Sequence, residues 1–271
     1  MLATSSAEIG APRLHGLDRP ADAGGFVHYV GRACADEVAP AYRQPTFALL
    51  GAEPGQAILD LGCGRGEDAR ALAALVGEAG RVVGVDSSQA MIDQARQRSA
   101  GSFGSLEYRL GEAERLDFAD GTFDGCRAER LLSCLADPEP ALAEMVRVAR
   151  PGGRIVVCEP DWARLVGDAP EPDLAGRIVG GRAGAWDVRL PALFRRQRLR
   201  DVTSMHVTVP LRPFYPLAAR FGLLDALAAA QEAGAISGRE AAAWLDAHEW
   251  AGRTGRAFGT LTALVVAGQK R

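Results

Sequence analysis

The feature that most constrains this chain is an alternation of short apolar runs with helix-length segments, beginning at Ala57. Ala57-Ile58-Leu59-Asp60-Leu61 is an apolar run that ends in glycines. A helical stretch follows, with Ala69, Leu72, Leu75 and Val76 on one face. Val82-Val83-Gly84-Val85-Asp86 comes next, then a second helix carrying Met91, Ile92 and Ala95. Residues 106–110 read as a third strand, 123–128 as a fourth, and 154–159 as a fifth after the Pro151-Gly152-Gly153 turn. Between the last two, residues 138–149 spell a helix. Asp137 can cap it, Pro138 fits its first turn, and Leu142, Met145, Val146 and Ala149 share a face. Apolar strands alternating with helices imply a parallel sheet covered on both sides.

After Glu159 the rhythm changes. Residues 161–198 are expected to form a helical insertion, 202–209 a sixth strand, 211–252 a second helical insertion and 260–267 a last strand that returns antiparallel. Ser237 and Glu240 stand at capping-box spacing before the final helix. Residues 1–23, rich in Ala, Gly, Pro and Ser, read as a loose arm. Residues 24–271 then form one α/β domain, with the cofactor-binding half at 52–160. The chain has 271 residues and a formal charge of −3, which argues against a basic nucleic-acid binder. No run reaches the ~18 to 20 apolar residues of a bilayer span, and the N-terminus lacks the apolar core of a secretory signal. The five cysteines are scattered without zinc spacing or a disulfide framework, so a cytoplasmic protein is expected.

The strongest local signal is Asp60-Leu61-Gly62-Cys63-Gly64-Arg65-Gly66, which ends the first strand and opens the first helix. Glycines there let the backbone turn sharply and approach a ligand. Asp86, ending the second strand, is placed to accept both hydroxyls of a ribose. A dinucleotide fingerprint would need a third glycine where this chain has Glu67, whose charge at a helix N-terminus would repel a pyrophosphate. The loop therefore suits a nucleoside cofactor without phosphates better than a nicotinamide dinucleotide.

Five elements occur in order: Ile58-Leu59-Asp60-Leu61-Gly62-Cys63-Gly64-Arg65-Gly66, Val83-Gly84-Val85-Asp86-Ser87, Gly111-Glu112-Ala113-Glu114, Phe123-Asp124 and Arg150-Pro151-Gly152-Gly153. In this order and spacing the chain resembles the class I S-adenosylmethionine-dependent methyltransferases. The likeness is to their small-molecule branch of ubiquinone/menaquinone-biosynthesis and natural-product enzymes, over about residues 55–165. It implies a Rossmann-like, seven-stranded, mostly parallel sheet with its last strand antiparallel, and S-adenosylmethionine as cofactor. By the same resemblance Gly62 and Gly64 pack on the amino-acid end of the cofactor, and Asp60 orients that loop and the ammonium. Asp86 binds the ribose, Ser87 and Met91 flank the adenine, and Gly111-Glu112-Ala113 contacts the adenine amino group. Ala128 offers a carbonyl, and Arg43 is a candidate partner for the cofactor carboxylate.

Catalytic candidates cluster where the fourth and fifth strands end: Arg130, Glu159 and Asp161, joined by His28 from the N-terminal segment. Either these charges orient or deprotonate an acceptor, or Arg127, Glu129, Arg130 and Glu159 pair with one another and brace the loops. Glu159 and Asp161 lack a third partner at metal-ligand spacing, so no metal is expected. Apolar residues of the second insertion (Phe214, Leu227, Trp244 and Leu245 among them) suit a lid over a small, apolar or aromatic acceptor. The alternative is that they pack on the sheet or form a homodimer interface. A relative that uses the bound cofactor for a cyclisation or rearrangement is the runner-up function.

Overall fold

The computed structural model describes residues 43–100, 105–167, 172–179, 186–210, 223–254 and 259–271. Seven strands form one sheet in the order β3-β2-β1-β4-β5-β7-β6. They are β1 (Ala57–Leu61), β2 (Arg81–Asp86), β3 (Ser105–Leu110), β4 (Phe123–Glu129), β5 (Ala149–Gly167), β6 (Arg200–Pro210) and β7 (Gly259–Gln269). The first five run parallel, and β7 pairs antiparallel with both β5 and β6. The last strand thus returns antiparallel as expected, inserted between its two predecessors.

Alternation along each strand sorts side chains onto two cores. Ile58, Val82 and Val156 face one side, where they meet Phe47 and Leu50 of α1 (Arg43–Leu50), Leu72 and Val76 of α2 (Glu67–Val76) and Ile92 of α3 (Gln89–Arg98). Leu59, Val83 and Val157 face the other, against Leu142 and Met145 of α4 (Glu139–Val148). Asp137 accepts the Glu139 N–H at 3.0 Å, capping α4.

The insertions hold α5 (Pro172–Val179), α6 (Trp186–Arg196), α7 (Leu223–Glu232) and α8 (Gly238–Arg253). The capping box forms: Glu240 donates its N–H to Ser237 Oγ at 3.2 Å and returns a carboxylate to the Ser237 N–H at 2.7 Å. Two boundaries differ from the sequence reading. The fifth strand extends through Gly167, so the insertion placed at 161 begins as sheet. Antiparallel β7 supplies partners for it: Asp161 lies opposite Thr262 and Val166 opposite Thr260. The Pro151-Gly152-Gly153 turn lies inside the same strand at an irregularity in its register with β4. The apolar residues expected to face an acceptor, Leu227, Trp244 and Leu245, are buried in one core with Leu174, Ile178 and Leu261. Phe214 lies outside the described residues.

Candidate functional site

The chain steps outward from β1 to β3, then returns to β4 on the other side of β1. Such a reversal opens a crevice beyond the carboxyl ends of the strands. Here the crevice encloses about 340 Å³ of empty space continuous with solvent. Leu61 and Gly62 line it where β1 ends, Val85, Asp86 and Ser87 where β2 ends, Gly111 to Glu114 from the segment after β3, and Leu131 and Leu135 from the turn after β4. Gly62, Gly64 and Gly66 all have positive φ (72°, 52° and 76°), so the loop turns in a conformation that side chains disfavour.

Asp86 holds this loop in place. Its Oδ2 accepts the Gly64 N–H at 2.9 Å and its Oδ1 the Ser88 N–H at 2.9 Å. Ser88 in turn caps α3, accepting the Met91 N–H at 3.4 Å. A Cβ at Gly64 would meet nothing within 4 Å, which leaves the backbone there open to a ligand. Among the described residues the cleft is lined by three carboxylates, Asp86, Glu112 and Glu114, and by no basic side chain. Such a wall repels phosphate and accepts a neutral nucleoside or a cation.

A family model described as a methyltransferase domain matches residues 59–157. Residues 59–157 therefore carry a methyltransferase domain, in agreement with the resemblance seen in the sequence. The chain is 43% identical over 149 residues to an uncharacterized 37.1 kDa protein in a transposon of Streptomyces fradiae, covering 55% of this chain and 43% of the relative. It is 38% identical over 117 residues to the demethylmenaquinone methyltransferase of Desulfitobacterium hafniense, covering 42% and 46%. The chain therefore spans less than half the length of these curated relatives. Its fold is shared with phosphoethanolamine N-methyltransferase 2 of Haemonchus contortus in complex with S-adenosylmethionine (TM-score 0.59, 16% identity, 91% of this chain and 56% of that one).

The residues of this methyltransferase domain fit its cofactor, S-adenosylmethionine, an adenosine whose linker is a sulfonium and carries no phosphate. Gly62, Asp86, Ser87, Gly111, Glu112 and Ala113 line the cleft, and Gly64 is bonded to Asp86. Met91 is half-buried on α3 and Ala128 fully buried between Leu61 and Val157; neither lines the cleft. Glu67, expected to repel phosphate, is neutralised by Arg98 at 3.1 Å and Arg65 at 3.4 Å. Exclusion of phosphate therefore rests on the cleft carboxylates instead.

Asp60 and Arg43 do not reach the cleft. Both join a buried ionic cluster centred on Arg127, which donates to Asp60 Oδ1 at 3.0 Å, to Asp68 Oδ2 at 2.8 Å and to Glu129. Arg43 lies 2.5 Å from the other Asp68 oxygen, so α1 is tied to the start of α2. This corrects the placement of Arg43 against the cofactor: its charge is committed to Asp68. Burial works against the Arg127 charge, but Asp68, Glu129 and Asp60 outweigh it and hold the guanidinium firmly protonated. Burial pushes the Asp60 carboxyl up to about 7, with Arg127 opposing. The sequence presents Asp60 and Arg127 as alternate residues of neighbouring apolar strands. It carries no sign that Asp68, a helix residue, completes the cluster.

Of the catalytic candidates, Arg130 adopts a left-handed conformation (φ 54°) and approaches Glu129 at 3.3 Å. Asp161 is buried on β5. Glu159 is fully enclosed, and its oxygens accept from Leu131, Leu132 and Ser133. A carboxylate so engaged is placed to hold the turn and not to take a proton from an acceptor. His28 lies outside the described residues. Leu131, Leu135 and Tyr108 were not singled out from sequence. The first two form the far wall of the cleft, and Tyr108 stands under the glycine loop, its hydroxyl 3.3 Å from the Gly66 carbonyl.

Proposed function

We propose that this chain transfers a methyl group from S-adenosylmethionine to an oxygen, nitrogen or carbon atom of a small, largely apolar or aromatic molecule. The observation that carries the reading is the cleft at the strand reversal, where a glycine backbone is pinned to Asp86 beside a wall of carboxylates that, among the described residues, includes no basic side chain. The bound cofactor supplies an electrophilic methyl group on a cationic sulfur. The protein's part is to bind and align: Asp86 receives the ribose hydroxyls, Gly62 and Gly64 admit the amino-acid end, and Glu112 accepts from the adenine. Alignment alone supplies a large share of the rate in a displacement of this kind, so a dedicated base is not required. Asp161 and Arg130 remain the acceptor-side candidates. The Desulfitobacterium relative, a demethylmenaquinone methyltransferase, supports a small acceptor.

Calorimetric titration with S-adenosylhomocysteine is expected to show one site per chain, and a silent titration would sink the cofactor reading. Incubation with methyl-labelled cofactor and a panel of phenols, quinols and amines is expected to place label in a product. An acceptor altered without label would favour the cyclisation reading.

A further inference from the structure

The turn after β4 is held by one side chain from the neighbouring strand. Glu159 Oε1 accepts the N–H groups of Leu131 at 3.0 Å and Leu132 at 2.7 Å, and Oε2 accepts the Ser133 hydroxyl at 2.6 Å. That turn is the far wall of the cofactor cleft, through Leu131 and Leu135. The Leu131 side chain closes directly onto the glycine loop, since a Cβ at Gly62 would lie 3.2 Å from Leu131 Cβ and Cδ1. The turn begins at Arg130, whose left-handed backbone is unfavourable for a residue with a side chain, so surrounding contacts must enforce it.

We propose that Glu159 is a positioning residue for the cofactor: by gathering the donors of residues 131–133 it sets the distance between Leu131 and the Gly62 loop, and with it the width of the cleft. The proposal rests on reading this cleft as the S-adenosylmethionine site. Reach, not charge, is what the turn requires. Oε1 serves both amides in either protonation state, because a protonated Oε2 donates to Ser133 Oγ instead of accepting from it. Glutamine keeps the same reach and the same carbonyl acceptor; aspartate keeps the charge and loses one methylene.

The test compares Glu159→Gln with Glu159→Asp, using the dissociation constant of S-adenosylhomocysteine measured well below the melting temperature. It adds amide exchange of residues 131–133 in the free protein. Glu159→Gln is expected to bind within about threefold of wild type, with slow exchange retained. Glu159→Asp is expected to bind at least tenfold more weakly and to exchange faster at Leu131 and Leu132. A role confined to folding would lower the melting temperature of both and leave the dissociation constant alone. Wild-type affinity in Glu159→Asp, or equal weakening in both variants, overturns the proposal. If Glu159→Asp does not fold, Ser133→Ala takes its place, with a loss of about threefold expected and no change overturning the proposal. A wild-type protein that binds no S-adenosylhomocysteine overturns the cofactor reading itself, whereas binding that ignores Glu159 overturns this inference alone.

Discussion

Gly64 donates its backbone N–H to the Asp86 carboxylate across 2.9 Å, joining the loop after β1 to the tip of β2. The same carboxylate accepts the Ser88 N–H at 2.9 Å, so one side chain sets both the glycine loop and the start of α3. Its place on the cleft wall leaves lone pairs for a ligand. Asp86→Ala is expected to weaken S-adenosylhomocysteine binding by roughly ten- to a hundredfold, as befits loss of ~1.5–3 kcal/mol in hydrogen bonds to a charged group. Calorimetry measures it. A fully melted variant, or unchanged affinity, would count against the assigned role.

Two glycines of the loop are expected to fail differently when replaced by alanine. At Gly66 a Cβ would overlap the Tyr108 hydroxyl, whose ring is buried, and φ is 76°. At Gly64 nothing lies within 4 Å, although φ is 52°. Gly66→Ala should therefore lower the melting temperature much more than Gly64→Ala. Gly64→Ala should lose cofactor affinity out of proportion to its small loss of stability. Thermal melts paired with binding titrations separate the two, and equal melting temperatures would refute the distinction.

Arg127 holds three carboxylates that are otherwise shut away from water. Arg127→Met leaves Asp60, Asp68 and Glu129 without that cation and is expected to cost about 3–5 kcal/mol of stability. Buried carboxyls that lose a shared cation fold best when protonated. The deficit should therefore be smallest below about pH 4, where unfolded carboxyls also hold their protons, and should widen as pH rises. Urea unfolding at pH 5 and pH 8 checks it; an equal loss at both would mean the cluster carries no net charge dependence.

Burial pushes the Glu159 carboxyl from 4.5 up to about 7, partly offset by Ser133, Leu132 and Leu131. Between those values the folded protein holds a proton that the unfolded chain has lost, so stability falls as pH rises. Relative to Glu159→Gln, wild type should lose up to about 3 kcal/mol between pH 4.5 and 7 and change little above. Parallel denaturation curves for the two proteins across that range give the difference directly. A gap that widens in favour of wild type with rising pH would reverse the sign.

The legible part of this protein is its local and periodic part. β1, β2 and the centre of β5 announce themselves because parallel strands buried on both faces are apolar almost throughout, while the edge strand β3 shows an alternation of apolar and polar residues, and the intervening helices show their 3.6-residue stripe. The loop at residues 60–66 and Asp86 are legible because a crossover with positive φ demands glycine and a strand tip can present a lone acid. The length of β5 was not legible. Its continuation past Asp161 depends on β7, which follows almost a hundred residues later and pairs with it antiparallel.

Sequence by itself determined the order of strands and helices, the crevice at the first crossover and the family of the domain, because each follows from short-range pattern and spacing. Only the tertiary structure decided what the charges do. Arg43, Asp60, Asp68 and Arg127 come from four different elements, and Glu159 finds its donors in a turn on the neighbouring strand. Coulombic and hydrogen-bond partners are chosen by distance in space, and a linear pattern holds no record of that distance until the sheet has brought the strands together.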